Sequence, residues 1–172
     1  MILKDSKGYT LIELVVVSVL IGLTLTITFP RLRNTLLTDG LKGSTRELVG
    51  TIRSLRGNAI REHRSYLLYF DLESNVYWIE HDDMDVEERA RAREGATSLR
   101  GGVKLKDVWS STQGKRMSGE AAIRFSPKGY IQQSLIHLES EDDREFTIVL
   151  RPILRRIRVL DEYAEFEDLS IC

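Results

Sequence analysis

The chain has 172 residues, 30% charged and 42% hydrophobic, which is enough for one ordinary globular domain with an appendage. Its formal net charge is -1, and leaving out the first 30 residues removes Lys4, Lys7, Asp5 and Glu13, so 23 basic residues face 24 acidic ones and the basic excess of a dedicated nucleic-acid binder is missing. The only cysteine is Cys172, which excludes an intramolecular disulfide.

Residues 1–8 are short and polar, and Lys4, Lys7 and the terminal amine outweigh Asp5. The positive-inside tendency predicts that this end stays in the cytoplasm while the rest crosses the membrane. Residues 9–29 form a 21-residue stretch with a single charge, Glu13. A helix of that length spans about 30 Å at about 1.5 Å per residue, the thickness of a bilayer core. Its only interruptions are Thr10, Ser18, Thr24, Thr26 and Thr28, whose hydroxyls can bond back to the helix backbone. A membrane-spanning helix is therefore predicted. A secretory signal peptide fits poorly, because the apolar run exceeds a signal core and no Ala-x-Ala site follows it. A carboxylate at Glu13 costs about 2.5–3.5 kcal/mol on insertion scales, which marks it as a functional residue.

The string Lys7-Gly8-Tyr9-Thr10-Leu11-Ile12-Glu13-Leu14 closely resembles the prepilin cleavage motif of type IV pilins and type II secretion pseudopilins. The resemblance implies that a membrane prepilin peptidase cuts between Gly8 and Tyr9, that the new amine of Tyr9 is methylated, and that Glu13 is the family's characteristic glutamate. Pro30 falls where family members often carry a helix-breaking proline. Residues 1–8 then form the leader peptide and 9–29 the transmembrane helix. Physically, the amine exposed at Tyr9 stays basic, with an unperturbed pKa of about 8. In a filament it can meet the Glu13 carboxylate of a neighbouring subunit, which relieves two isolated charges in lipid.

Pro30 lacks an amide donor and should kink or locally melt the helix. Over 30–63, Leu37, Leu41, Leu48, Ile52, Leu55 and Ala59 repeat at helical spacing within a stripe about 60° wide. Arg31, Arg33, Lys42, Arg46, Arg53, Arg56 and Arg61 lie mostly off it, as a solvated face or a face against neighbouring subunits. Gly40, Gly43, Gly50 and Gly57 each weaken this helix by up to about 1 kcal/mol relative to alanine, so it must depend on packing.

After His63 the pattern turns to strands. Tyr66–Phe70 and Val76–Ile79 read as a hairpin around the polar turn 71–75. Val103 and Leu105 suggest a further strand, with Val108 one step out of register. Ala122–Phe125 leads into Ser126-Pro127-Lys128-Gly129, which suits a type I turn. Tyr130-Ile131, Leu135–Leu138, Phe146–Leu150 and Ile157–Leu160 complete a set expected to form antiparallel sheets packed on the helix. The expected fold is thus α+β and pilin-like: a long N-terminal helix, half transmembrane and half amphipathic, on a β-rich periplasmic domain over 64–172. The segment Leu48–Arg61 and the later Phe125–Gly129 resemble H-type minor pseudopilins and FimT-type pilins.

Segment 81–101, dense in Asp82, Asp83, Asp85, Glu87, Glu88, Arg89, Arg91, Arg93 and Glu94, is expected to be a surface loop or a short solvated helix, with partner docking as the functional alternative. Asp83, Asp85, Glu87 and Glu94 loosely follow a calcium-loop spacing, but Glu88 stands where that loop needs glycine. His63, His81 and His137 sit in separate elements without metal-ligand spacing, Cys172 lacks histidine context, and no catalytic motif is found. Trp78 and Trp109 are expected in the core. The basic run 151–158 is expected to be an edge strand with basic residues facing solvent; partner or DNA contact is the alternative.

The resemblance implies a structural minor pseudopilin of the type II secretion system, not an enzyme, without metal or cofactor. It would sit in the bacterial inner membrane by one span, N-terminus cytoplasmic, near the tip of the periplasmic pseudopilus. Prepilin peptidase, other major and minor pseudopilins and the inner-membrane assembly platform are the implied partners, and nucleic acid is not expected. A minor pilin of a type IV pilus, including one serving DNA uptake, is the alternative.

Overall fold

The computed structural model describes residues 10–153 and 157–167, with the backbone alone for 25–39. The chain divides into two compact units, Met1–Leu36 and Leu37–Cys172. One helix, α1 (Leu11–Glu62), contributes to both. Pro30 lies inside it, so the helix does not melt there. Among the described residues no helix is long and apolar enough to cross a membrane. The expected span 9–29 falls partly outside them, as do the leader 1–8 and the side chain of Leu37.

In the second unit α1 behaves as its stripe predicts. Leu41, Leu48, Ile52, Leu55 and Ala59 are all at most 2% exposed. Burying a leucine-sized side chain contributes about 1.5–3 kcal/mol, which offsets the helical glycines. The helix ends where His63 takes φ 54, a left-handed residue just past the last turn.

Among the described residues nine strands follow: β1 (Tyr66–Asp71), β2 (Val76–His81), β3 (Thr97–Ser98), β4 (Lys104–Ser110), β5 (Gly114–Arg116), β6 (Glu120–Phe125), β7 (Ser134–Glu139), β8 (Glu145–Leu150) and β9 (Arg158–Leu160). They form two antiparallel sheets, in the orders β3-β2-β1-β6 and β5-β4-β7-β8-β9. The two-residue β3 and three-residue β5 carry no apolar run and were not expected.

Alternation along the strands builds one core. From the first sheet, Leu68, Phe70, Ile123 and Phe125 point inward. From the second, Leu105, Val108, Ile136, Leu138, Ile148 and Leu150 do so. Asn75, at φ 55 in the β1–β2 turn, links the sheets: its Oδ1 accepts the Leu105 amide at 2.7 Å. The turn before Ile131 closes as expected, with Gly129 N–H donating to the Ser126 carbonyl at 2.8 Å and Gly129 at φ 79.

The strand order after α1 is broken once. Segment 81–101 holds a second helix, α2 (Val86–Glu94), which realises the solvated-helix expectation; no residue of it is buried. Asp85 caps it: its Oδ1 accepts the Glu88 amide at 2.7 Å while Glu88 Oε2 accepts the Asp85 amide at 3.0 Å. The acids with calcium-like spacing have other partners, since Asp85 is this cap and Asp83 lies 3.5 Å from Arg64.

Trp78 is buried as expected, though outside the cluster between the sheets, whereas Trp109 is only half-buried. Trp78 is buried on the outer face of the first sheet, stacked on Tyr69 at 5.3 Å, with the Arg93 guanidinium of α2 5.3 Å above its ring. Trp109 is half-buried on the outer face of the second sheet, stacked on Phe166 at 4.9 Å. Each is covered by an element whose sequence is too polar to betray that it packs on an aromatic ring.

Candidate functional site: the amino-terminal helix and the covered outer face

The first described turn of α1 is organised by Thr10, whose carbonyl accepts the Leu14 amide at 3.2 Å and whose hydroxyl accepts the Glu13 amide at 3.3 Å. Ser18 donates its hydroxyl to the Leu14 carbonyl at 2.8 Å, and Thr24 donates to the carbonyls of Leu20 and Ile21. These hydroxyls are satisfied within the helix, so they give it no polar face. Leu11, Ile12, Leu14, Val15, Val16, Val17, Val19, Leu20, Ile21 and Leu23 are all exposed, from 45% to 81%. Residues on every side of a helix cannot all turn toward one core. A surface this apolar marks contact with lipid or with other chains.

Glu13 is the one charge in that surface. It stands in the first turn, where the helix dipole favours an anion. Its carboxylate meets no cation among the described residues. Gly8 and Tyr9 lie outside the described residues, and Pro30 is described by its backbone only. Of the four expected site residues, the structure therefore describes Glu13 in full and Pro30 by its backbone.

A second cluster escaped the sequence. Asp107 and His137 face each other across β4 and β7, both at most 2% exposed, with Oδ1 2.6 Å from Nδ1. His137 Nε2 lies 3.0 Å from the Ala164 carbonyl. Both ring nitrogens thus have an oxygen within hydrogen-bonding distance, a carboxylate at Nδ1 and a backbone carbonyl at Nε2. Tyr163 donates its hydroxyl to Asp107 Oδ2 at 3.1 Å and stacks on the His137 ring at 4.1 Å. Thr147 accepts the Ala164 amide at 3.1 Å and donates to the Glu162 carbonyl at 2.6 Å. Burial pushes the Tyr163 hydroxyl up from its ordinary value, and the hydrogen bond with Tyr163 raises the Lys115 ammonium beside it.

A β-bulge makes this pair possible. Leu105 pairs with Leu138 and Asp107 with His137, so Lys106 is the extra residue. Without it, Asp107 would point into the core and Val108 out of it. The out-of-step Val108 was the only trace of this in the sequence. Lys106 itself bonds Glu139 and Glu145, contacts that hold its ammonium well above the ordinary range. Both nitrogens of His137 are engaged within the chain. The cluster ties segment 161–167 over the outer face of the second sheet as a strap. Among the described residues no group of three or more metal-ligating side chains gathers.

A family model, the prokaryotic N-terminal methylation motif, matches residues 3–29. No curated protein sequence matches the chain. Among solved structures, one of the minor pseudopilin EpsH from the Type 2 Secretion System of Vibrio cholerae aligns with TM-score 0.50 and 14% identity, covering 72% of this chain and 98% of that one. Another structure of the same protein aligns with TM-score 0.49 and 14% identity, over 74% and 97%. The chain thus joins the N-terminal methylation motif of type IV pilins to a pilin-like α+β fold.

Proposed function

We propose that this chain is a minor pseudopilin of a type II secretion system, of the H type, and acts as a structural subunit rather than an enzyme. Cleavage between Gly8 and Tyr9 and methylation of Tyr9 prepare it for assembly. The helix from residue 9 holds it in the inner membrane, and the domain beyond stands in the periplasm near the pseudopilus tip. Prepilin peptidase, the other pseudopilins and the assembly platform are its partners.

One observation carries this reading: a lone carboxylate, Glu13, in a helix exposed and apolar all round, within a matched methylation motif. Its own chain offers it no counter-charge among the described residues, whereas the processed amine of a neighbouring subunit would supply one. Mass spectrometry of the membrane-extracted protein tests the processing. Methyl-tyrosine at residue 9 is expected, and a chain still beginning at Met1 overturns the reading. Glu13→Ala should leave membrane insertion intact and reduce co-purification with partner pseudopilins; undiminished recovery removes its role in assembly.

A further inference from the structure

On the second unit, a groove of about 400 Å³ runs between α1 and the edge of the second sheet. Val49, Gly50, Phe146 and Val159 line it, and Lys42, Arg46 and Arg53 stand along its α1 side. At about 100° per residue these three cations fall within about 40° of one another. All three are exposed, and none meets a carboxylate or other acceptor among the described residues. Several other cations of the unit are paired, among them Arg100 with Glu47, Arg64 with Asp83 and Lys106 with Glu139. The stripe is therefore a local excess in a domain that is close to neutral.

The opposite wall is a sheet edge. β9 pairs only with β8, so its other edge has no strand partner among the described residues. Ile148 lies opposite Val159, which puts the Val159 side chain on the inner face of the sheet, toward the groove. Gly50 has nothing within 4 Å of the place a Cβ would occupy, so the helix surface there is open.

We propose that this groove docks an extended acidic segment of a partner protein, added as a strand to the free edge of β9. Backbone hydrogen bonds to β9 hold the segment, its apolar side chains lie on Val49, Phe146 and Val159, and its carboxylates meet Lys42, Arg46 and Arg53. Charge complementarity selects the segment, and the free edge demands that it be extended. The site is separate from Glu13 and does not depend on how the chain is anchored.

The test uses the full chain in neutral detergent micelles and a fluorescent nine-residue peptide alternating glutamate with valine. Saturable binding that weakens with added salt is expected. Replacing the peptide's glutamates by lysine, or methylating alternate backbone amides, should weaken it at least tenfold. The triple variant Lys42→Glu, Arg46→Glu, Arg53→Glu should do the same. Gly50→Leu fills the groove from a position with free space, so it should block the peptide while leaving the thermal melt in place. The proposal is overturned if the glutamate peptide does not bind at millimolar concentration, or if it binds these variants as well as the unaltered chain. Preference for a DNA duplex or for anionic vesicles over the peptide also overturns it.

Discussion

The two ends of α1 solve the same problem in opposite ways. Over 41–59 its apolar residues form one stripe and vanish under two sheets. Over 11–23 they surround the helix and stay exposed. The first arrangement is complete within one chain. The second has no intramolecular solution, because no single core can reach every side of a helix. A single helix can therefore carry an end that stabilises its own domain and an end whose surface other molecules must cover.

The comparison breaks most visibly in the domain. Asp107→Ala strips the partner from buried His137 and should destabilise the domain by about 3–5 kcal/mol, read by denaturant unfolding. Replacing both by leucine should recover most of that loss, because no buried ring nitrogen is then left without its carboxylate partner. A truncation made at both ends of α1 sharpens the contrast. Leu48→Ala should cost about 2–5 kcal/mol in the same assay, whereas Leu14→Ala should leave domain stability unchanged. If both truncations destabilise the domain equally, the two-ended description of α1 is wrong.

Smaller effects are expected at the surface. Asp85→Ala removes the cap of α2 and should weaken that helix by about 1 kcal/mol, seen as faster amide hydrogen exchange over 86–94 with little change in the global melt. The smallest effect is in acid. The Tyr66 hydrogen bond holds the Glu62 carboxyl below its ordinary value, and hydrogen bonds from Arg144 do the same for Asp142. In both cases the unfolded chain binds the proton more readily, so their contribution is present above about pH 4 and lost as pH falls through the folded values. The melting temperature should drop in that window, and Tyr66→Phe should shallow the drop.

How much was legible follows from what each element depends on. The buried stripe of α1, the 66–81 hairpin and the turn at Ser126–Gly129 rest on local periodicity and turn chemistry, and they read directly. Glu13 stood out because a charge in an apolar run is locally anomalous. The Asp107–His137 pair joins residues 30 positions apart, on strands whose pairing no local pattern specifies. The places of Trp78 and Trp109 were hidden for a related reason, although Trp78 is buried as expected. Alternation tells which residues share a face, but it does not tell which face is covered from outside by α2 or by the strap.

The extra residue in β4 has a consequence for any chain that shares this architecture. Lys106 inverts the parity of everything after it, so the bulge and the outward carboxylate that follows it stand or fall as a unit. A relative that keeps this strand's length but pairs it without the bulge should turn the residue at position 107 inward, and carry an apolar side chain there with no imidazole facing the strap. The residue at this one position would then announce whether a relative fastens its C-terminal segment by charge or by fit.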